Sequence, residues 1–164
     1  MKINHFLPIA LLCLAVSFAA CLRAPEYPIE PRIEFMNQTK TTMRQGFGTE
    51  DSVYINISFT DGDGDLGGIS TAKDSLNVYI TDLRNNKAVE QTYRLPFIPE
   101  PGARNGISGE IRFLMYTTCC LSLEPCRPTP NRPLDTLVYE FYIKDRAGHA
   151  SNKIKTQPIL LQCK

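Results

Sequence analysis

The chain has 164 residues, enough for one domain of ordinary size. Its 18 Lys and Arg balance 17 Asp and Glu, so no global field draws nucleic acid or an anionic membrane surface. Tryptophan is absent, and the histidines are His5 and His149.

The chain opens on "MKINHFLPIALLCLAVSFAAC", a basic start at Lys2, an apolar stretch over residues 6–18 and then small residues. That is the pattern of a secretory signal over residues 1–20. Its apolar core is too short for a comfortable membrane span. The join "SFAAC", with Ala19 and Ala20 before Cys21, resembles the lipobox of bacterial lipoproteins, although Phe18 stands where Leu is usual. The resemblance implies that Cys21 is lipidated and becomes the new N-terminus. Ordinary cleavage near Ala20 would instead leave Cys21 a plain thiol. Residues 21–31 then form a tether, in which Pro25, Pro28 and Pro31 favour an extended, semi-rigid chain.

Residues 32–164 read as strands. Residues 53–59, "VYINISF", alternate with Val53, Ile55, Ile57 and Phe59 on one face. Residues 76–80 put Leu76, Val78 and Ile80 inward; residues 111–115 do the same with Ile111, Phe113 and Met115; residues 137–143 with Leu137, Tyr139, Phe141 and Ile143. Weaker strands are expected at 33–36, 89–94 and 153–161, the last bulged or placed on an edge by Pro158. No stretch after the signal shows a helical period. Seven short strands between turn residues predict a single all-β domain, a seven-stranded antiparallel β-sandwich.

In an up-and-down alternation, the loops after the second and sixth strands share one end. The first carries "FTDGDGDLGG", with Asp61, Asp63 and Asp65 at every second position; the other carries "DRAGHASN", with Asp145. Four carboxylates are thus expected at one end of the sandwich. Hard cations such as Ca2+ take six to eight oxygens, and glycine between the aspartates lets the loop curl its oxygens inward. An EF-hand is excluded, because Leu66 stands where that loop needs Gly and Ala72 where it needs Glu. "DGDGDLG" is more similar to the acidic loops of cadherin-like and other extracellular Ig-like domains. A solvated turn is the plainer alternative, since Asp and Gly are common turn residues. The start of the first strand shares this end, so Glu26 and Glu30 of the tether are placed to reach the same ion.

Cys119, Cys120 and Cys126 lie in the proline-rich connection before the sixth strand, and Cys163 follows the seventh. Strand parity puts all four at the opposite end. In an exported chain an even set reads as two disulfides. Adjacent Cys119 and Cys120 rarely bond to each other, which leaves two connectivities, and either one staples Cys163 to that connection. Zinc is disfavoured: His149 falls at the other end, and neither C-x-x-C nor H-x-x-x-H occurs.

No catalytic constellation stands out. His149 has no evident nucleophile beside it, three aspartates on one loop cannot readily flank a glycosidic bond, and no phosphate loop or G-x-S-x-G occurs. The chain is read as no enzyme. Tyr79 and Tyr142 point outward on neighbouring strands, as a bracing cross-strand pair or as a binding face.

Signal, lipobox, proline tether, "SFTDGDGDLG", "YEFYIKDRAGHASN" and a cysteine near the end together resemble small Bacteroidota-type envelope lipoproteins with an Ig-like domain. The resemblance implies a lipid-anchored domain in the cell envelope, at the outer membrane, with a structural or assembly role. The alternative is a module that binds a protein or glycan in a surface or polysaccharide-uptake system.

Overall fold

The computed structural model describes residues 26–68, 76–84, 89–98, 106–122, 126–127 and 130–163. The signal segment and Cys21 lie outside them. In chain order the strands are β1 (Arg32–Gln38), β2 (Thr42–Arg44), β3 (Ser52–Asp61), β4 (Val78–Asp82), β5 (Val89–Tyr93), β6 (Ile107–Tyr116), β7 (Leu134–Leu137), β8 (Tyr139–Ile143), β9 (Ile154–Lys155) and β10 (Ile159–Gln162). The described residues contain no α-helix, and so none long and apolar enough to cross a membrane.

Alternation decides which face of each strand is buried. β3 buries Val53, Ile55, Ile57 and Phe59 and turns Tyr54 outward. It pairs antiparallel with β1 on one side and over its whole length with β6 on the other, from Ser52↔Tyr116 to Asp61↔Ile107. A bulge at Met36 shifts the β1 register from Phe35↔Ile57 to Asn37↔Asn56. A second sheet runs β5-β4-β8-β9, all antiparallel. A third runs β2-β10-β7. All three contribute to one core. Phe113 of β6 meets Phe141 of β8 at 5.4 Å between ring centres, and Met43, Leu137, Ile159 and Leu161 of the third sheet join the same cluster.

The strands differ from the predicted seven in ways that have physical causes. The sixth expected strand is interrupted at Val138, so Leu137 lies in β7 and Tyr139 begins β8. The seventh is split into β9 and β10 across Pro158, which lacks the N–H a ladder needs. β6 is twice the expected length. Not every pairing is antiparallel: β2, absent from the sequence reading, runs parallel to β10, and Gln45 N extends the ladder by donating to Gln162 O at 2.9 Å. Leu76 is not an inward strand residue. It is exposed, because the chain enters β4 only after Asn77, whose buried side chain accepts a hydrogen bond from Leu95 N at 2.7 Å.

Candidate metal centre

The inward alternation of β3 does not stop at Phe59. Asp61, two residues on, is fully buried. β8 repeats the pattern: Tyr139, Phe141 and Ile143 point into the core, and the next inward position is Asp145, also buried. Two strands thus end their apolar faces on aspartates at the same end of the core. Beyond Asp61 the chain turns through Gly64 (φ 73°) and Gly67 (φ 96°), and fully buried Leu66 anchors the turn. The left-handed backbone at these glycines carries no Cβ penalty.

The two loops are joined through Asp65. Its Oδ2 accepts from Ala147 N at 3.0 Å, and its carbonyl accepts from Arg146 N at 3.3 Å. Asp145 is oriented by His149, which donates its backbone N–H to Oδ1 at 2.7 Å and sets its ring Nδ1 against Oδ2 at 2.8 Å. Oxygens from Asp61, Asp63, Asp65 and Asp145 converge to within 4.8 Å of one another. Both oxygens of Asp61, with Oδ1 of Asp63 and Oδ1 of Asp65, are buried without a hydrogen-bond partner.

That arrangement is electrostatically unfavourable by itself. Burial, followed by the charges of Asp63, Asp65 and Asp145, pushes the Asp61 pKa up to about 6. The Leu66 N–H offsets this slightly but lies outside hydrogen-bonding geometry. Burial and the charges of Asp145 and Asp63 raise Asp65 as well, against the Ala147 N–H and Arg146. Asp145 raises the His149 pKa through their hydrogen bond and its charge. A cation seated among the free oxygens would supply the missing counter-charge. All of these donors are hard carboxylate oxygens, with no sulfur or ring nitrogen among them, a set that suits a hard divalent cation better than zinc.

The tether approaches this site through its backbone. Glu26 and Glu30 are exposed and do not join the cluster; Glu30 instead lies near enough to His149 to help raise its pKa. A Cβ on Gly62 would fall 2.3 Å from Tyr27 O and 2.5 Å from Pro28 O, so glycine there is what lets the tether lie against the acidic loop. Asn152 fastens the start of β1 beside it. Its Oδ1 accepts from Ile33 N and its Nδ2 donates to Ile33 O, both at 2.9 Å.

The opposite end holds the cysteines. Cys119 and Cys126 lie at disulfide distance, as do Cys120 and Cys163. The second pair ties the end of β10 to the connection before β7, as expected from strand parity. The sequence reading missed what sits beside them. Arg84 is buried and bonds Asp82 Oδ2 at 2.6 Å, Asp135 Oδ2 at 3.0 Å and Cys119 O at 2.9 Å. Burial opposes the charge on both partners, yet the pairing outweighs it: the Arg84 pKa rises and that of Asp135 falls.

On the outer face of the second sheet, Tyr79 and Tyr142 are directly cross-strand, with rings stacked 4.5 Å apart and 6° from parallel. Lys144 lies over the Tyr79 ring and Lys153 over the Tyr142 ring. This geometry braces the sheet and gives it a basic rim.

No protein-family model, curated protein or solved structure matches the chain significantly.

Proposed function

We propose that the protein is a non-enzymatic component of a cell envelope, held to the membrane by lipid on Cys21, with a structural or assembly role. Its domain is read as an Ig-like sandwich. Strand order and a common core support this, with β7–β8 and β9–β10 each taken as one interrupted strand. Its acidic end binds Ca2+, which ties the loops after β3 and β8 together and steadies the tether packed beside them.

The observation that carries the reading is Asp61, a fully buried carboxylate with neither oxygen hydrogen-bonded, facing three more. A solvated turn would leave such a group in water. Against catalysis, among the described residues no hydroxyl or thiol is hydrogen-bonded to the His149 ring, which meets Asp145 through Nδ1.

The test has two arms on the full chain. Cys21→Ser should move the protein from the membrane to the soluble fraction, and unchanged fractionation would remove the tether from the proposal. Thermal melts in millimolar Ca2+ and in EDTA should differ by several degrees. Binding to the folded state alone adds about 2.7 kcal/mol at a hundredfold excess over Kd. A midpoint that ignores calcium would return the loop to an ordinary turn. A shift that survives Asp63→Asn/Asp145→Asn would put the ion elsewhere.

A further inference from the structure

Among the described residues β6 is the longest edge strand, and one side of it is open. Its ten residues pair with β3 on one side only. On the other side, among the described residues, no strand and no backbone hydrogen bond meets it. The strand also carries apolar side chains on both faces. Inward, Ile107, Ile111 and Phe113 are only half-buried; outward, Leu114 and Tyr116 are exposed. It contains no proline, and its charges are Glu110 and Arg112. A long open edge of this kind is a template for another strand.

We propose that the edge is completed by β6 of a second copy of this chain, antiparallel about a two-fold axis at Ile111. The result is a continuous sheet of six strands. Charge selects the occupant and the register. An added strand must keep inward residues opposite inward residues, so permitted registers differ by whole pleats. With Ile111 opposite its own copy, Glu110 faces Arg112 and Arg112 faces Glu110 on the exposed face. The same register places Phe113 opposite Gly109, which has no side chain to obstruct it. The neighbouring register on one side would set Glu110 against Glu110, and the one on the other would set Arg112 against Arg112. Like charges directly opposite destabilise a ladder, and opposite charges favour it. Arg112 is already held on that face, its guanidinium carbon 3.8 Å from the centre of the Tyr54 ring. The strand is therefore complementary to itself in one register and repelled in the two beside it.

The experiment uses exposed positions, so the core is left intact. Full chains carrying Ser108→Cys under one tag and Leu114→Cys under another are co-expressed. Mixed pairs should cross-link, because residues 108 and 114 face each other in this register, and neither variant should cross-link with itself. In sedimentation of the full chain in non-ionic detergent, Glu110→Arg or Arg112→Glu should weaken the dimer about tenfold, two symmetric pairs being turned repulsive together. The double swap, Glu110→Arg/Arg112→Glu, should restore it. A monomer at all concentrations, cross-linking of either cysteine variant with itself, or a double swap as weak as the single variants would overturn the proposal. None of these outcomes depends on calcium or on the lipid.

Discussion

The two ends of the core hold buried charge in opposite ways. At the disulfide end, Arg84 stands between Asp82 and Asp135, and two cysteine pairs close the surrounding chain. Each of these three charges has its partner within the protein. At the acidic end, four carboxylates converge, His149 and Arg146 reach only its Asp145 and Asp65 side, and neither side-chain oxygen of Asp61 is hydrogen-bonded. One end is self-sufficient. The other leaves buried carboxylate oxygens that a cation from solution could satisfy. The same change, removal of a charge, must therefore have opposite consequences at the two ends.

The largest effect belongs to the self-sufficient end. Arg84→Met removes the shared partner of Asp82 and Asp135 and strands buried charge, a loss of about 3–5 kcal/mol. A melt in EDTA should show a fall on the order of 10 °C, and calcium should leave that deficit unchanged. A loss comparable to that of an exposed residue would mean that water already satisfies these aspartates, and the contrast would collapse.

Neutralisation at the acidic end should go the other way. In EDTA, Asp61→Asn removes an unpartnered buried charge and should raise stability at neutral pH by roughly 2–3 kcal/mol. It should also abolish the calcium response. The pH dependence has a definite sign. Asp61 titrates near 6 in the folded chain against 3.8 as its ordinary value, so its stabilising contribution is complete below about 3.8 and is lost as pH rises through 6. Asp135 is shifted downward, so its contribution is present above the ordinary carboxylate range and is lost on acidification. In chelator, Asp61→Asn should flatten the fall in stability between pH 4 and 7. Asp135→Asn should leave that fall and lower the whole curve at neutral pH. Destabilisation by Asp61→Asn in EDTA would show that Asp61 is satisfied without a cation.

How legible each end was follows from the same contrast. The acidic end is local: three aspartates lie in five residues of "DGDGD", and extending the two-residue period of β3 and β8 by one step reaches Asp61 and Asp145. The cysteines are equally visible, because parity alone puts Cys163 at the same end as Cys119, Cys120 and Cys126, although only the structure pairs it with Cys120. Arg84 is different. Its partner Asp135 is 51 residues away, and nothing in "TDLRN" marks a buried arginine. β2 is likewise invisible: three residues carry too little pattern, and the partner strand β10 lies more than a hundred residues on. The extra length of β6 was hidden by Ser108 and Gly109, which break the apolar rhythm although β3 pairs with them throughout. Side-chain charge also misdirected the reading of the tether, which meets the acidic loop with Tyr27 and Pro28 carbonyls and not with its glutamates.

That tether contact gives the smallest and most selective prediction. At the disulfide end the chain is closed covalently; at the acidic end residues 26–31 are held by packing. Gly62→Ala would drive a methyl group into Tyr27 O and Pro28 O, and both are main-chain atoms that no rotamer change can move aside. Something must shift. The acidic loop is anchored by fully buried Leu66 and by the Asp65 bonds to Arg146 and Ala147, whereas Pro28 and Ile29 are exposed. The tether should therefore yield and the core should stay. A stability loss of about 1 kcal/mol or less is expected, with a marked gain in protease cleavage around residues 26–31. Calcium should restore protection only in the wild type, since the substituted loop cannot receive the tether whether or not the ion is bound. A collapse of the melting midpoint together with the calcium response would show instead that the methyl group distorts the loop, and that the tether is the firmer partner.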